Sequence, residues 1–214
     1  MNKDTHQSRD EALLDWCKLL DPQVLRANLH AIGVYLVAFE ILKSTVIEHP
    51  RGFFTLGMDD DEDAQDTYKK NVLVLDRSAF RASMLWFKEM GAIDGHDMAT
   101  ADEIRRHRNE LAHEIPKFLT SMKSNLDVSL FHKILALISK IDRWWIREIE
   151  LDCNPDFDHI DHSSIPDEEL TSGNMILMHM IMTRVFGDLE SANSEYEKFV
   201  EKALGRIRSD GKLL

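Results

Sequence analysis

The sequence is poor in cysteine, glycine and proline, and each shortage excludes a class of protein or structure. Only 2 of its 214 residues are Cys, too few for the disulfide framework of a small secreted protein. Nine Gly and five Pro leave long intervals without turn signals. No uninterrupted apolar run approaches the roughly 20 residues of a membrane span, and the polar N-terminus has no signal-peptide core. We therefore expect a cytoplasmic protein without a membrane partner.

Positive charge is also scarce. The chain has 26 Lys and Arg against 38 Asp and Glu, which gives a net charge of −12. Because affinity for polyphosphate depends mostly on cationic side chains, this balance argues against non-specific coating of nucleic acid. The deficit is uneven: residues 100–150 contain nine Lys or Arg and eight Asp or Glu, a net of +1, so the rest carries −13. Acidic residues concentrate at 59–66 and 152–169.

What the sequence does contain is helical periodicity. Apolar residues recur at steps of three and four along most of the chain. This pattern predicts an all-α protein, an antiparallel bundle of about five or six helices. The predicted helices cover residues 10–20, 22–49, 77–90, 101–116, 127–151 and 172–208.

Short local signals set the predicted helix ends. Pro50 is expected to end the second helix, because proline lacks a main-chain N–H. Gly91 follows the third helix as a C-terminal cap. Thr100 and Glu103 form a capping box, which predicts that the fourth helix begins at Ala101.

The chain is predicted to be one domain, residues 1–214. It would comprise a helical core at about 10–151, an acidic linker at 152–170 and a long C-terminal helix at 171–208. Residues 175–182 are apolar on all sides of a helix, so we expect them in the core or in a dimer interface.

The most informative stretch is residues 105–116, which contains three Arg, one Asn and two His. On a helix of about 3.6 residues per turn, Arg108 falls in the apolar stripe, where a guanidinium needs a partner or a cleft. Arg106, Asn109 and His113 fall together on the opposite side. One helix therefore offers an Arg within its apolar stripe and a separate polar face of Arg, Asn and His.

The pattern Arg108-Asn109-x-x-x-His113 resembles the signature of HEPN domains, an Arg, often followed by a polar residue, with a His beyond four to six further residues. HEPN proteins are all-α bundles. Many are metal-independent endoribonucleases that act as toxins of toxin–antitoxin pairs or as antiviral-defence effectors, and others are non-catalytic binding modules. The resemblance covers about a dozen residues. Arg106 also satisfies the loosest spacing, so either arginine is a candidate.

The resemblance implies catalytic roles for Arg108, Asn109 and His113, with no metal and no cofactor. His113 would transfer the proton of an RNA 2′-hydroxyl, since imidazole titrates near neutral pH. Arg108 would hold the phosphate, and Asn109 would orient the reacting groups. The products would carry a 2′,3′-cyclic phosphate and a 5′-hydroxyl.

The resemblance and the helix geometry also predict partners. Arg108 and His113 are about 140° apart on a straight helix, so they need not meet within one chain. A homodimer would bring two copies of the motif into one cleft. An antitoxin or a regulatory protein would be a further partner of such a nuclease.

A second group of cations is expected to make weaker RNA contacts. Three of them lie at heptad-like spacing on helix 127–151, beside Trp144 and Trp145, which could stack on bases. The alternative is a solvated helix face with Trp145 in the core. The group comprises Arg105, Arg106, Lys140, Arg143 and Arg147.

Two other functions stay open. A non-catalytic helical interaction module would have the same fold without chemistry. The doublet His96-Asp97 is similar to that of HD-type metal-dependent phosphohydrolases, although no further His and Asp complete the pattern. Residues 156–162 contain Asp and His that could bind a metal, but they lack a helical frame that would fix the ligands.

Overall fold

The structure is a computed structural model that describes residues 3–55, 67–157, 159 and 161–188, together with residues 193, 194, 198 and 200. Within these residues it is helical and has no β-strand, which confirms the predicted all-α fold class. The acidic residues 59–66 and the end of the predicted C-terminal helix lie outside the described residues. The chain divides into two compact units, residues 1–175 and 176–214.

The main helices are long and their connections are short. A π-helical segment, Ile146–Leu151, directly follows the helix that ends at Trp145, and residues 67–71 are also helical. Single 3₁₀ turns lie at Leu73–Leu75, Pro155–Phe157 and His162–Ser164. The main helices are α1 (Lys3–Leu20), α2 (Pro22–Thr55), α3 (Ala79–Glu89), α4 (Gly95–His113), α5 (Ile115–Thr120), α6 (Val128–Trp145) and α7 (Gly173–Phe186).

Helix α2 is the centre of the first unit, where it packs against α3, α4 and α6. Its buried residues recur at steps of three and four, which places them on one face toward the core. Tyr35 and Leu42 are fully buried on α2, and Ile134, Ile138 and Ile141 are fully buried on α6. On α2 and α6, the periodicity read from the sequence therefore corresponds to the face that the helix turns toward the core.

Helix α2 is also long and apolar enough, by length and composition, to cross a membrane. A buried core helix and an N-terminal signal sequence meet the same criterion. In the folded protein, 44% of the most apolar 18-residue stretch of α2 is buried. Length and composition do not distinguish these roles.

The prediction that Pro50 ends the second helix was wrong. Helix α2 continues to Thr55 with Pro50 buried inside it. The extra turn brings Phe53 and Phe54 against Trp86, each with its ring centroid 6.0 Å from that of the indole. Burial of these aromatic rings offsets the main-chain hydrogen bond that proline cannot donate.

Gly91 caps α3 as predicted. Its φ of 81° lies in the left-handed region, which glycine adopts without a steric cost. The N–H of Gly91 donates to the carbonyl of Lys88 (3.2 Å), and that of Ala92 donates to Phe87 (2.9 Å). These two bonds form a Schellman motif, which satisfies carbonyls at the helix end.

The predicted start of the fourth helix was also wrong. Helix α4 begins at Gly95, and Thr100 lies inside it. The Asp94 carboxylate accepts from the main-chain N–H groups of His96 (2.7 Å) and Asp97 (2.9 Å), and Asp97 accepts from that of Asp94 (2.9 Å). This reciprocal capping box precedes the pair Thr100 and Glu103, so the helix has already begun when the chain reaches them.

The end of α4 is defined by a local break. Glu114 leaves the helical conformation (φ −121°, ψ 27°), and Pro116 follows in the first turn of α5, so the helix predicted for residues 101–116 ends just before this proline. Lys18 of α1 donates to the carbonyls of Ser121 (2.7 Å) and Ser124 (2.9 Å) and so ties α1 to the loop after α5. Because the helix breaks at Glu114, His113 is the last residue of α4.

The apolar segment 175–182 is only partly buried within the single chain. Met178 is 1% exposed, but Ile176, Leu177 and Met180 are 51%, 47% and 52% exposed. These exposed side chains do not belong to a core of the single chain, and the alternative expectation, that the segment lies in a dimer interface, stays a prediction.

Candidate functional site

The motif singled out in the sequence occupies the last two turns of α4. Asn109 and His113 are exposed and lie one helical turn apart on the same face. Arg106 is exposed as well, and no ion pair engages it among the described residues. The polar face of Arg, Asn and His is therefore present and accessible to a ligand.

Arg108 points in a different direction, toward α2. Its Nη2 donates to Glu40 Oε1 at 2.7 Å, and its guanidinium carbon lies 5.2 Å from the centroid of the Phe39 ring. Its Nη1 lies 3.4 Å from Asn109 Oδ1, a long hydrogen bond. The Nε atom is buried without a partner in the described part of the chain. The inward position expected for Arg108 is thus accompanied by an ion pair and an aromatic contact.

Glu40 is a site residue that sequence reasoning missed. Partial burial acts to raise the pKa of its carboxyl, but hydrogen bonds and charges from Lys43 and Arg108 outweigh burial and hold that pKa below its usual value. No local pattern could have revealed this contact, because Glu40 and Arg108 are 68 positions apart and meet only through helix packing.

His107 lies next to Arg108 but has a structural role. Its ring meets Tyr35 and Phe118 edge-on, at centroid distances of 5.3 and 5.9 Å. Its Nε2 accepts a hydrogen bond from the main-chain N–H of Asp127, 3.3 Å away. His107 therefore anchors α4 to the start of α6, and His113 is the histidine of the motif that is exposed.

An open apolar groove of about 420 Å³ borders the motif on the outer side of α2. Its lining includes Leu36, Val37 and Ile41, and Val37 is 41% exposed. The same groove includes Glu40, the carboxylate that holds Arg108. We call the surface formed by Leu36, Val37, Glu40, Ile41 and Ser44 the α2 groove; it joins an apolar patch to the arginine of the motif.

Four of the five cations predicted to make weaker RNA contacts, all except Arg106, are engaged by carboxylates. Lys140 Nζ lies 2.5 Å from Asp97 Oδ2, and Asp167 lies 2.7 Å from Arg147 and 3.7 Å from Arg143. The hydrogen bond from Arg147 comes first among the causes that hold the pKa of Asp167 below its usual value.

Lys140 is also separated from the motif. Lys140 contacts the first turn of α4, whereas His113 is 16 residues beyond Asp97, roughly 24 Å along the helix axis. Arg105 is paired as well, with Asp102 at 3.7 Å. Lys140 therefore does not extend the motif surface within one chain.

The two tryptophans beside these cations pack against other aromatic rings of the protein. Trp145 is 6% exposed and stacks on His49, with ring centroids 4.4 Å apart and an interplanar angle of 6°. Trp144 meets Trp86 and Phe87 edge-on at 6.4 and 5.9 Å. The interpretation of Trp145 as a core residue is confirmed, and this ring is not available to stack on a base.

The doublet His96-Asp97 is explained by helix capping. Asp97 closes the capping box of α4 and contacts Lys140, so its carboxylate has a structural role. In the acidic segment, His162 contacts Asp152 Oδ1 (2.7 Å) and the carbonyl of Phe157 (3.0 Å). Over the described ranges, no group of three or more Cys, His, Asp or Glu side chains is arranged to hold a metal ion.

No protein-family model, curated protein or solved structure matches the chain. The functional interpretation therefore depends on the residues themselves, above all Arg108, Asn109 and His113, and on the contacts just described.

Proposed function

We propose that the protein is a metal-independent endoribonuclease of HEPN type that works as a cytoplasmic homodimer. The observation that carries the proposal is the arrangement at the end of α4. Arg108 contacts Asn109 and is held by Glu40 at the edge of the α2 groove, while Asn109 and His113 are exposed. A toxin or an antiviral-defence effector is the physiological role that the family resemblance implies.

The residue types suit cleavage by the 2′-hydroxyl. His113 removes the 2′-hydroxyl proton, the 2′-oxygen attacks the adjacent phosphorus, and the bond from phosphorus to the 5′-oxygen breaks. The leaving 5′-oxygen takes a proton from the imidazolium or from a second His113. Arg108 stabilises the charge that develops on the phosphate oxygens, and Asn109 orients the chain by hydrogen bonding. The products are a 2′,3′-cyclic phosphate and a 5′-hydroxyl.

A second copy of the chain is part of the proposal. Arg108 is directed toward α2 and His113 toward solvent, so one chain presents them on different faces. The α2 groove offers an apolar surface beside Arg108 on which another copy can pack. Two-fold packing at this surface would bring Arg108 of one copy toward His113 of its partner.

The experiment is an RNA cleavage assay with and without EDTA. We expect cleavage that persists in EDTA and is lost in both His113→Ala and Arg108→Ala, and products with 2′,3′-cyclic phosphate ends. His132→Ala is the matched control, because His132 is exposed on α6 outside the motif. Loss of cleavage in EDTA, or full cleavage by His113→Ala, would contradict the mechanism. Arg106→Ala, run alongside, decides which arginine holds the phosphate.

A non-catalytic interaction module is the second candidate, favoured by the exposed apolar side chains of α1. Leu13, Trp16 and Leu20 are 56%, 59% and 71% exposed, which is typical of a surface that binds another protein. Under this alternative, the protein cleaves neither structured nor single-stranded RNAs. Trp16→Ala abolishes its association with a partner such as an antitoxin or regulatory protein, whereas His113→Ala leaves that association unchanged.

A further inference from the structure

A second polar site lies where the end of α2, the end of α6 and the first residues of α7 come together. It is a cleft of about 300 Å³, comparable to the smaller pockets that bind organic ligands. Its lining includes His49, Asp142, Glu150, Ser172 and Asn174. None of these residues belongs to the motif on α4.

A buried carboxylate is the centre of this cleft. Asp142 is 2% exposed, and both of its oxygens have hydrogen-bond partners. His49 Nε2 lies 3.0 Å from Oδ1, and Asn174 Nδ2 donates to Oδ2 at 3.1 Å. Asn174 Nδ2 also donates to Thr45 Oγ1 at 3.0 Å. These bonds offset the cost of burying the carboxylate and fix the orientation of its partners.

The same bonds determine which atoms stay available to a ligand. When a neutral His49 donates through Nε2 to the Asp142 carboxylate, its Nδ1 carries a lone pair and accepts. Asn174 uses its amide nitrogen on Thr45 and Asp142, which leaves its carbonyl oxygen as an acceptor. Glu150 adds an exposed carboxylate at the cleft. The lining is therefore rich in acceptors and negatively charged.

An aromatic stack and a π-helical segment define the geometry of this cleft. The imidazole of His49 stacks on Trp145 at 4.4 Å, which fixes the plane of its ring. The π-helical segment Ile146–Leu151 begins directly after Trp145 and carries Glu150. Segments of π-helix are less favourable than α-helix and frequently occur at functional sites.

We propose that this cleft binds a small organic cation, an ammonium or guanidinium group that donates hydrogen bonds to His49, Asn174 and Glu150. Donors of this kind match a wall of acceptors, and a positive charge is attracted by Asp142 and Glu150. A phosphate or carboxylate ligand would instead be repelled by both carboxylates. The site is independent of the proposed ribonuclease activity.

Isothermal titration calorimetry of the full chain with agmatine tests the proposal, because agmatine carries both a guanidinium and an ammonium group. Butyrate and 1-butanol are the anionic and neutral controls. Glu150→Gln is the variant, and Glu148→Gln is its matched control, since Glu148 is an exposed carboxylate of the same segment that does not line the cleft. Both substitutions change the net charge equally, so non-specific attraction to an acidic protein cancels.

We expect saturable binding of agmatine, no binding of butyrate or butanol, and an affinity about threefold weaker in Glu150→Gln but unchanged in Glu148→Gln. The indole N–H resonance of Trp145, identified by its loss in Trp145→Phe, should shift on titration. Absence of agmatine binding, equal binding of butyrate, or an equal loss in the two variants would overturn the proposal.

Discussion

Arg108 and Glu40 form an ion pair between α4 and α2, with Nη2 and Oε1 2.7 Å apart. The pair is half-exposed, since the side chains of Arg108 and Glu40 are 31% and 47% exposed. Solvent therefore screens it, and its contribution to stability is small, about 0.5 kcal/mol. Its larger consequence is positional, because it holds the guanidinium over the Phe39 ring and beside Asn109.

Replacing Glu40 should strengthen RNA binding while changing stability little. Glu40→Gln removes the negative charge that opposes phosphate at Arg108, so we expect RNA affinity to rise about threefold at low salt. Glu48→Gln removes an exposed carboxylate that pairs with Arg51 on the same helix and serves as the control. Fluorescence anisotropy with a short RNA measures both. An equal gain in the two variants would mean that net charge alone is responsible.

The α2 groove should be the dimer interface. Val37→Asp would place a carboxylate in an apolar contact, and we expect it to weaken the dimer about a hundredfold and to abolish cleavage. Leu29→Asp is the control, because Leu29 is 46% exposed on the same helix but does not line the groove. Sedimentation velocity at micromolar protein provides the measurement. A monomeric wild-type protein, or an equal effect of both substitutions, would refute the assignment.

Two glycines should respond in opposite ways to alanine. Gly91→Ala forces a side chain into the left-handed region at φ 81°, so we expect a loss of about 1 kcal/mol. Gly33 lies inside α2 with open space where an alanine methyl group would lie, so Gly33→Ala should stabilise by roughly 0.5–1 kcal/mol. Urea unfolding of the two variants gives both values. Destabilisation by both would indicate that the exposed face of Gly33 is packed in the folded protein.

The N-cap of α6 should make stability depend on pH. The Ser129 hydroxyl, followed by the Ser129 main-chain N–H, holds the pKa of Asp127 below its usual value of 3.8. A carboxyl whose pKa is lowered by folding stabilises the protein above the unfolded pKa, and this contribution is lost as pH falls through the folded pKa.

We therefore expect Asp127→Ala to cost about 1 kcal/mol at pH 7 and progressively less as the pH falls below 3.8. Urea unfolding at a series of pH values measures the difference from the wild-type protein. Glu168→Ala, which removes an exposed carboxylate outside the helices, should show no such trend. A difference for Asp127→Ala that is constant with pH would contradict the capping role.

Several features could be predicted from sequence because their causes are local. The cap at Gly91 depends on the conformation and hydrogen bonding of neighbouring residues. Where two local signals compete, the prediction failed: Thr100 and Glu103 have the spacing of a capping box, but the Asp94 box comes first along the chain and starts α4. The prediction that Pro50 ends the second helix failed for a different reason. The rings of Phe53 and Phe54 pack on Trp86, and this packing stabilises the helix beyond the proline.

The sequence by itself determined that the chain is helical and that Asn109 and His113 share one face of α4, since helical periodicity follows from spacing alone. Only the tertiary structure decided that Arg108 meets Glu40 and that His49 meets Asp142, pairs separated by 68 and 93 positions. Those contacts arise from the packing of α2 against α4 and α6, and the arrangement of packed helices depends on the whole set of buried side chains rather than on any local pattern.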